Sequence, residues 1–233
     1  MHKFVKKFWW SDVGLSVLLG VIFLQIFVMY PLIHAGTGLI LIHILFILVL
    51  ISGVMAVSAT PHWGGLVVVL AIFSIICRSI GFWYSGPTID TLETSLAAIF
   101  AAILMAIILI QVFRQGPVNA HRIAGSIAAY LLIGIVCGHA YMIIALQDPS
   151  AFTFATIPVP TEFHKLQSKL FYFSFITLTS VGYGDIMPVN PASQTVAMLE
   201  ALIGQLFPAI LLARLVSLEI ENRLSRERDK GNE

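Results

Sequence analysis

The residues best suited to do chemistry in this chain form one short segment, Thr179-Ser180-Val181-Gly182-Tyr183-Gly184-Asp185. Its two glycines are separated by a single residue, and glycine adopts positive φ without the steric cost that a Cβ imposes. Such a backbone can aim successive carbonyl oxygens at one axis instead of alternating them between two sides. A column of carbonyl oxygens is what a dehydrated potassium ion needs in place of its water shell. The segment therefore predicts a backbone site for a cation.

The composition indicates the environment of this segment. Of the 233 residues, 58% are hydrophobic and 11% are charged, and the mean hydropathy is +0.94. A water-soluble domain of this length could hardly bury so much apolar surface in one core. The net charge of +1, with basic residues concentrated at the two ends, gives no sign of a nucleic-acid surface. Cys77 and Cys137 lie in apolar runs, where buried free thiols are expected. These features predict a membrane protein.

Six apolar stretches are long enough to cross a hydrocarbon core of about 30 Å. They are Val13 to Ile33, Gly38 to Ser58, Gly65 to Tyr84, Leu92 to Phe113, Ile123 to Leu146 and Ala192 to Ser217. A seventh run, Leu166 to Leu178, is too short to span and predicts a re-entrant helix buried in protein, directly before the glycine-containing segment. We therefore predict an all-α membrane protein with six transmembrane helices and one re-entrant helix.

The loops predict the orientation of these helices. The basic clusters are Lys3, Lys6 and Lys7, then Arg114 and Arg122, then Arg223, Arg226 and Arg228. With six spans, all three clusters fall on one side of the membrane, which the positive-inside rule makes cytosolic. Both termini are then expected in the cytosol, and residues 147–191 outside.

In this setting, residues 167–215 resemble the pore region of potassium channels. The resemblance implies that the carbonyl groups of the glycine-containing segment form stacked potassium sites, the selectivity filter, with the Ser180 hydroxyl adding the innermost ring. The residues implied to bind the ion are Ser180, Val181, Gly182, Tyr183 and Gly184. The family usually has threonine at the innermost position. Serine keeps the oxygen but lacks the methyl group that helps to fix the rotamer. We expect selectivity to survive, with a softer inner site.

The resemblance also assigns support for the filter to Tyr172, Thr179 and Asp185. Many family members brace the filter with a tryptophan on the pore helix, and some also with a glutamate. The matching positions here are Tyr172 and Ile176. Tyr172 can donate a charge-assisted hydrogen bond to Asp185, whereas Ile176 cannot donate or accept one.

Glu200 is a second candidate for filter support, because an ionisable residue within a membrane helix is a functional hypothesis by default. If its side chain projects toward the pore helix, Ser174 and Thr177 are candidate partners, and burial would favour a protonated carboxyl group. The alternatives are a position near the outer interface, or a structural cap on a hydroxyl group of the pore helix.

The last span resembles the pore-lining inner helix of the family. Gly204 falls where the family often has a hinge glycine, and Pro208 removes a backbone hydrogen bond one turn later. Close packing against the pore helix is the other interpretation of Gly204. Gln205, Leu212 and Val216 are expected to line the cavity and the inner mouth.

The first four spans resemble the sensor domain of voltage-gated channels in number and place, but not in charge. The fourth span contains no arginine or lysine, whereas steep voltage dependence needs about 3 to 4 gating charges per subunit. Arg78, in the third span, is expected to pair with Glu93 or Asp90, or to reach the outer interface.

The combined prediction is a homotetrameric potassium channel in a lipid bilayer, in a prokaryotic plasma membrane, and not an enzyme. Residues 1–118 would form a sensor-like domain, 119–217 the pore domain and 218–233 a short cytosolic tail without a regulatory domain. No cofactor is expected beyond permeant potassium. A weakly selective cation channel is one alternative. A non-conducting subunit, or a haem-binding membrane protein that uses His34, His43 or His139, is another. His164, just before the pore helix, is a candidate pH-sensitive residue.

Overall fold

The computed structural model describes residues 14–35, 39–57, 64–84, 86–113, 120–155, 160 and 162–231. Its helices are α1 (Gly14–Ala35), α2 (Leu39–Val57), α3 (Gly64–Trp83), α4 (Pro87–Phe113), α5 (Ala120–Gln147), α6 (Phe163–Leu178) and α7 (Pro191–Gly231). Two strands, β1 (Phe152–Phe154) and β2 (Ile186–Pro188), lie on either side of α6 in the sequence. The predicted basic positions Lys3, Lys6, Lys7 and Arg114 are outside the described residues, as are the side chains of His34, Arg223, Arg226 and Arg228.

The helices lie where the apolar stretches predicted them. Within the described residues, four are long and apolar enough to cross a membrane, at Gly64–Gly81, Pro87–Phe113, Arg122–Gln147 and Pro191–Leu218. Shorter apolar stretches lie in α1, at Leu15–Phe27, and in α2, at His43–Ala56. The α7 helix continues to Gly231, well past the predicted end of its apolar part at Ser217.

A buried apolar cluster joins the first four helices to α5. Leu18 of α1, Leu50 of α2 and Leu104 of α4 are almost completely buried in it, and Leu132 of α5 joins them. Between helices in a lipid bilayer, such side chains stabilise the structure by close packing and not by removal from water. The same helix α5 also contacts α6 and α7. Thus α5 connects the first four helices to the part of the chain that carries the glycine-containing segment.

One buried ion pair lies among the first four helices. Arg78 of α3 and Glu93 of α4 meet at 2.5 Å between Nη1 and Oε1, and the guanidinium carbon lies 4.5 Å from the centre of the Phe46 ring. This confirms the pairing of Arg78 with Glu93. The ring adds a cation–π contact to a charge pair that has little access to water.

The two strands form a small sheet that the sequence did not predict. They pair antiparallel, with Phe152 opposite Pro188 and Phe154 opposite Ile186. Phe152 and Ile186 are buried in a second apolar cluster, together with Tyr141 of α5 and Phe173 of α6. Three-residue strands carry too little alternation to be recognised from sequence. The sheet fixes the chain immediately after the glycine-containing segment.

Candidate functional site

The backbone of the glycine-containing segment turns back onto the C-terminal end of α6. The amide of Ser180 donates to the Thr177 carbonyl at 2.9 Å, and the amide of Val181 donates to the Ile176 carbonyl at 2.9 Å. In a trans peptide the carbonyl points opposite to the following N–H group. The carbonyl groups that precede these two amides therefore point away from α6, toward the exposed side of the segment.

Positive φ occurs at every second residue of this segment. Gly182 has φ of 56° and Gly184 has φ of 76°, as the sequence suggested, and Ser180 joins them with φ of 57°. Alternation of left-handed and ordinary residues turns successive peptide planes to the same side, which a regular strand does not do. A serine at positive φ is uncommon and strained, and such residues cluster at functional sites.

The segment is exposed in the single chain. Val181 is 50% exposed and Tyr183 is 70% exposed, although both are large hydrophobic side chains. Exposed apolar groups of this kind mark a surface suited to contact with protein or with lipid.

Both ends of the segment are fixed. At the inner end, the Thr179 hydroxyl donates to the Phe175 carbonyl at 2.7 Å, closing the last turn of α6. At the outer end, the Asp185 carbonyl accepts from the Ala155 amide at 2.9 Å, and the sheet follows directly. The segment is therefore held between a helix end and a strand.

Glu200 of α7 is fully buried behind α6. Its Oε1 atom lies 2.5 Å from the Ser174 hydroxyl, and its Oε2 atom lies 2.5 Å from the Tyr141 hydroxyl. Ser174 was one of the two expected partners, and Tyr141 takes the place of the other, Thr177. The contact with Ser174 also fits the other interpretation of Glu200, a structural cap on a hydroxyl group of the pore helix, whereas its depth in the membrane stays a prediction.

The hydrogen bonds of this cluster indicate the protonation state of the Glu200 carboxyl group. The Ser174 hydroxyl is also 2.7 Å from the carbonyl oxygen of Gly134 in α5. Three hydrogen bonds thus connect Ser174, Tyr141, Glu200 and this carbonyl, but the two hydroxyl groups supply only two protons. A protonated Glu200 carboxyl group supplies the third. A neutral carboxyl group also avoids the cost of a buried, unpaired charge.

Tyr172, which was also expected to support the filter, lies away from the Glu200 cluster. Tyr172 lines a cavity of about 490 Å³ between α1, α5 and α6, with Ile176 and Thr179 on the same wall. The hydrogen bond from Tyr172 to Asp185 stays a prediction.

At Gly204, the backbone of α7 lies very close to the C-terminal end of α6. A Cβ atom at this position would lie 1.9 Å from the carbonyl oxygen of Leu178, the last residue of α6. The close-packing interpretation of Gly204 therefore has a direct geometric basis. Further along α7, Pro208 lies inside the helix, and Leu212 and Val216 are 65% and 51% exposed.

Gln205 contacts the glycine-containing segment. Its Nε2 atom donates to the Ser180 hydroxyl oxygen at 2.7 Å. The sequence predicted only that Gln205 lines a cavity.

Helix α5 packs closely against α6, which was not predicted from the sequence. Gly134 and Gly138 of α5 lie directly under two rings of α6, because a Cβ on either glycine would come within 2.7 Å of Phe175 or 3.1 Å of Phe171. Tyr130, one turn earlier, donates to the Leu178 carbonyl at 3.2 Å. The four-residue spacing of the two glycines is a known signal for close helix packing in membranes, and could have identified this contact.

The histidines do not assemble into a metal centre in the described part of the chain. No group of three or more histidine, cysteine, aspartate or glutamate side chains is placed to hold a metal there. His139 instead packs its ring edge-on against Phe171, with centroids 4.9 Å apart.

Comparison with known proteins adds an independent line of support. A protein-family model described as "Ion channel" matches residues 141–221, which include α6, the glycine-containing segment and most of α7. The chain is 34% identical over 76 residues to Protein LctB of Bacillus caldotenax, covering 33% of this chain and 56% of that protein. It is 34% identical over 93 residues to Two pore potassium channel c of Oryza sativa subsp. japonica, covering 40% of this chain and 18% of that one.

A third relative is Potassium voltage-gated channel protein shk-1 of Caenorhabditis elegans, 29% identical over 109 residues, which are 45% of this chain and 18% of that protein. The chain thus spans from about a fifth to about half of the length of these relatives. No solved structure matches it significantly. The family model and these relatives show that residues 141–221 are similar to an ion-channel domain and that the chain is similar to potassium channels, and the long apolar helices are those of a multi-pass membrane protein.

Proposed function

We propose that four copies of the chain form a potassium-selective pore, in which the filter is the segment from Ser180 to Gly184. The observation that carries the proposal is the alternation of positive φ at residues 180, 182 and 184, combined with amides that turn back onto α6. Four such segments around one axis would supply rings of carbonyl oxygens that replace the hydration shell of potassium.

The exposed apolar side chains of a single chain support its assembly with further copies, and a carbonyl-lined filter needs four of them. Each chain has one filter segment, and its exposed Val181 and Tyr183 side chains require surrounding protein. On α7, Leu199 and Leu202 are 57% and 60% exposed. A cyclic homotetramer would cover these surfaces and close the ring of carbonyl groups.

The proposed topology has six transmembrane helices, with α1 and α2 added to the four longer ones, and both termini in the cytosol. Helices α1 to α4 form the sensor-like domain, residues 1–118, and α5 to α7 form the pore domain, residues 119–217. The C-terminal end of α6 directs its negative dipole toward the cavity below the filter, where it stabilises a cation. Potassium then moves passively down its electrochemical gradient.

The test is ion flux through purified protein in liposomes under opposing potassium and sodium gradients. We expect a reversal potential close to that of potassium. A reversal potential between those of the two ions would favour the weakly selective cation channel. Absence of flux, or a Soret band in the purified protein, would favour the non-conducting or haem-binding alternatives.

Gly182→Ala provides the matched test of the filter. A Cβ at Gly182 meets no atom within 4 Å, and the same is true at Gly20 in α1, but only Gly182 has positive φ. Gly182→Ala should abolish flux because alanine at positive φ strains the filter backbone. Gly20→Ala should conduct normally. Selective flux in both variants would contradict the assignment of the filter.

A further inference from the structure

The innermost ring of the proposed filter has serine in place of threonine, so it lacks the methyl group that would hold the hydroxyl oxygen in place. Serine has a single heavy atom beyond Cβ, so its hydroxyl can occupy all three staggered rotamers where threonine is more restricted. Ser180 is also exposed in the structure and lies at φ of 57°. A mobile hydroxyl group would weaken this ring as a ligand for an ion.

The structure places one side chain against this hydroxyl. Gln205 of α7 donates from Nε2 to the Ser180 oxygen at 2.7 Å, a short distance for a neutral N–H···O hydrogen bond. The contact depends on Gly204, because the missing side chain there lets α7 approach the Leu178 carbonyl, two residues before Ser180. Helix packing thus brings the amide to the inner end of the filter.

We propose that Gln205 is a positioning residue for the innermost cation site, and that its amide fixes the Ser180 hydroxyl by a hydrogen bond where threonine fixes it by its methyl group. The inference rests on the proposed potassium-channel function. An oxygen atom that accepts this bond keeps a second lone pair for a dehydrated monovalent cation. With fourfold symmetry, four amides would hold four hydroxyl groups in one orientation.

Barium block from the cytosolic side tests this role. Barium has nearly the radius of potassium and competes for the same oxygen ring, so its affinity reports the order of that ring and not the stability of the protein. Gln205→Met keeps the length of the side chain and removes the donor. We expect block to weaken about fivefold to tenfold, the equivalent of one neutral hydrogen bond. Selectivity for potassium over sodium should fall with it.

Rescue separates positioning from a general structural role. Adding Ser180→Thr to Gln205→Met should restore most of the barium affinity, because the threonine methyl replaces the lost restraint. Gln205→Asn keeps the polarity but is one methylene shorter, and should resemble Gln205→Met. The control is Gln194→Met on the same helix, where the amide lies 3.4 Å from the Pro188 carbonyl. Barium should block this variant with the same affinity as the wild type.

Unchanged block in Gln205→Met, failure of Ser180→Thr to restore it, or wild-type behaviour of Gln205→Asn would overturn the proposal. If the single variants do not conduct, the potassium concentration that half-protects the purified protein from thermal unfolding replaces block. It should rise in Gln205→Met and return in the double variant. Absence of any flux in the wild type would instead refute the proposed channel function.

Discussion

At the scale of single residues, the proposed filter depends on positive φ at three alternate positions, Ser180, Gly182 and Gly184. The positive φ of Gly182 and Gly184 follows from the residue type, because only glycine adopts it without cost. The same φ at Ser180 could not be predicted, since it is imposed by the turn back onto α6. Ser174 was within reach as a partner of Glu200, but Tyr141 lies 59 residues away from it in the sequence. Only tertiary structure joins them.

The cluster around Glu200 leads to a prediction that separates shape from charge. Glu200→Gln keeps a donor and an acceptor, so it should be tolerated, whereas Glu200→Ala leaves Ser174 and Tyr141 facing a cavity. A buried polar group without its partner costs about 1–3 kcal/mol. We expect Glu200→Ala to shorten open times and to speed inactivation in single-channel recordings.

Tyr141→Phe is the control for this cluster, since it removes one of the two hydroxyl groups and should have an intermediate effect. Unchanged open times in Glu200→Ala would show that Glu200 has no role in supporting the filter.

His164, at the start of α6, leads to a prediction about pH. Its Nδ1 atom is buried without a hydrogen-bond partner in the described structure, and burial, reinforced by the positive charge of Arg78, lowers its pKa to about 4. Between pH 6.5 and 4 the unfolded chain therefore binds a proton that the folded chain does not, so the free energy of unfolding falls as the pH falls.

Thermal unfolding of the purified protein between pH 7 and pH 4 measures this dependence. In His164→Gln the loss of stability on acidification should be smaller than in the wild type, while other titrating groups act equally in both. Identical pH dependence in the two proteins would mean that His164 titrates normally.

At the scale of elements, the apolar stretches predicted every helix, because a span of about 20 apolar residues has few other uses. What they could not predict is how closely two helices approach. Gly204 fits both a hinge and a close contact in the sequence, and only the position of the Leu178 carbonyl distinguishes them. The β1–β2 sheet was missed because its strands are too short for a periodic signal.

Gly204→Ala tests the contact between α6 and α7. The new methyl group would overlap the Leu178 carbonyl, which is backbone and cannot rotate away, so the helices must separate. Overpacking of this kind costs about 1–3 kcal/mol. We expect a lower unfolding temperature and reduced potassium flux. Gly20→Ala, where a Cβ meets nothing within 4 Å, should be neutral or slightly stabilising because alanine favours helix more than glycine. Normal stability of Gly204→Ala would favour the hinge.

At the scale of the whole molecule, the helix that takes the place of a charged voltage-sensor helix in the proposed channel lacks basic residues. Helix α4 carries Asp90 and Glu93 but no arginine or lysine. Arg78, on the neighbouring helix α3, is paired with Glu93 and lies against the Phe46 ring. A buried, paired charge is held in place by its partner, and breaking such a pair costs about 3–5 kcal/mol. The pair therefore connects α3 to α4 and restricts their relative movement.

This arrangement predicts a weak response to voltage. One charge that crosses the whole field gains only about 2.3 kcal/mol per 100 mV, which is less than the cost of separating Arg78 from Glu93. Conductance should therefore change only shallowly with membrane potential, as measured by voltage steps on reconstituted protein. Arg78→Gln should leave the slope unchanged but destabilise the protein, because it exposes Glu93 as an unpaired buried charge, and adding Glu93→Gln should recover much of the stability. A steep conductance curve that flattens in Arg78→Gln would show that Arg78 moves through the field and that the ion pair opens during gating.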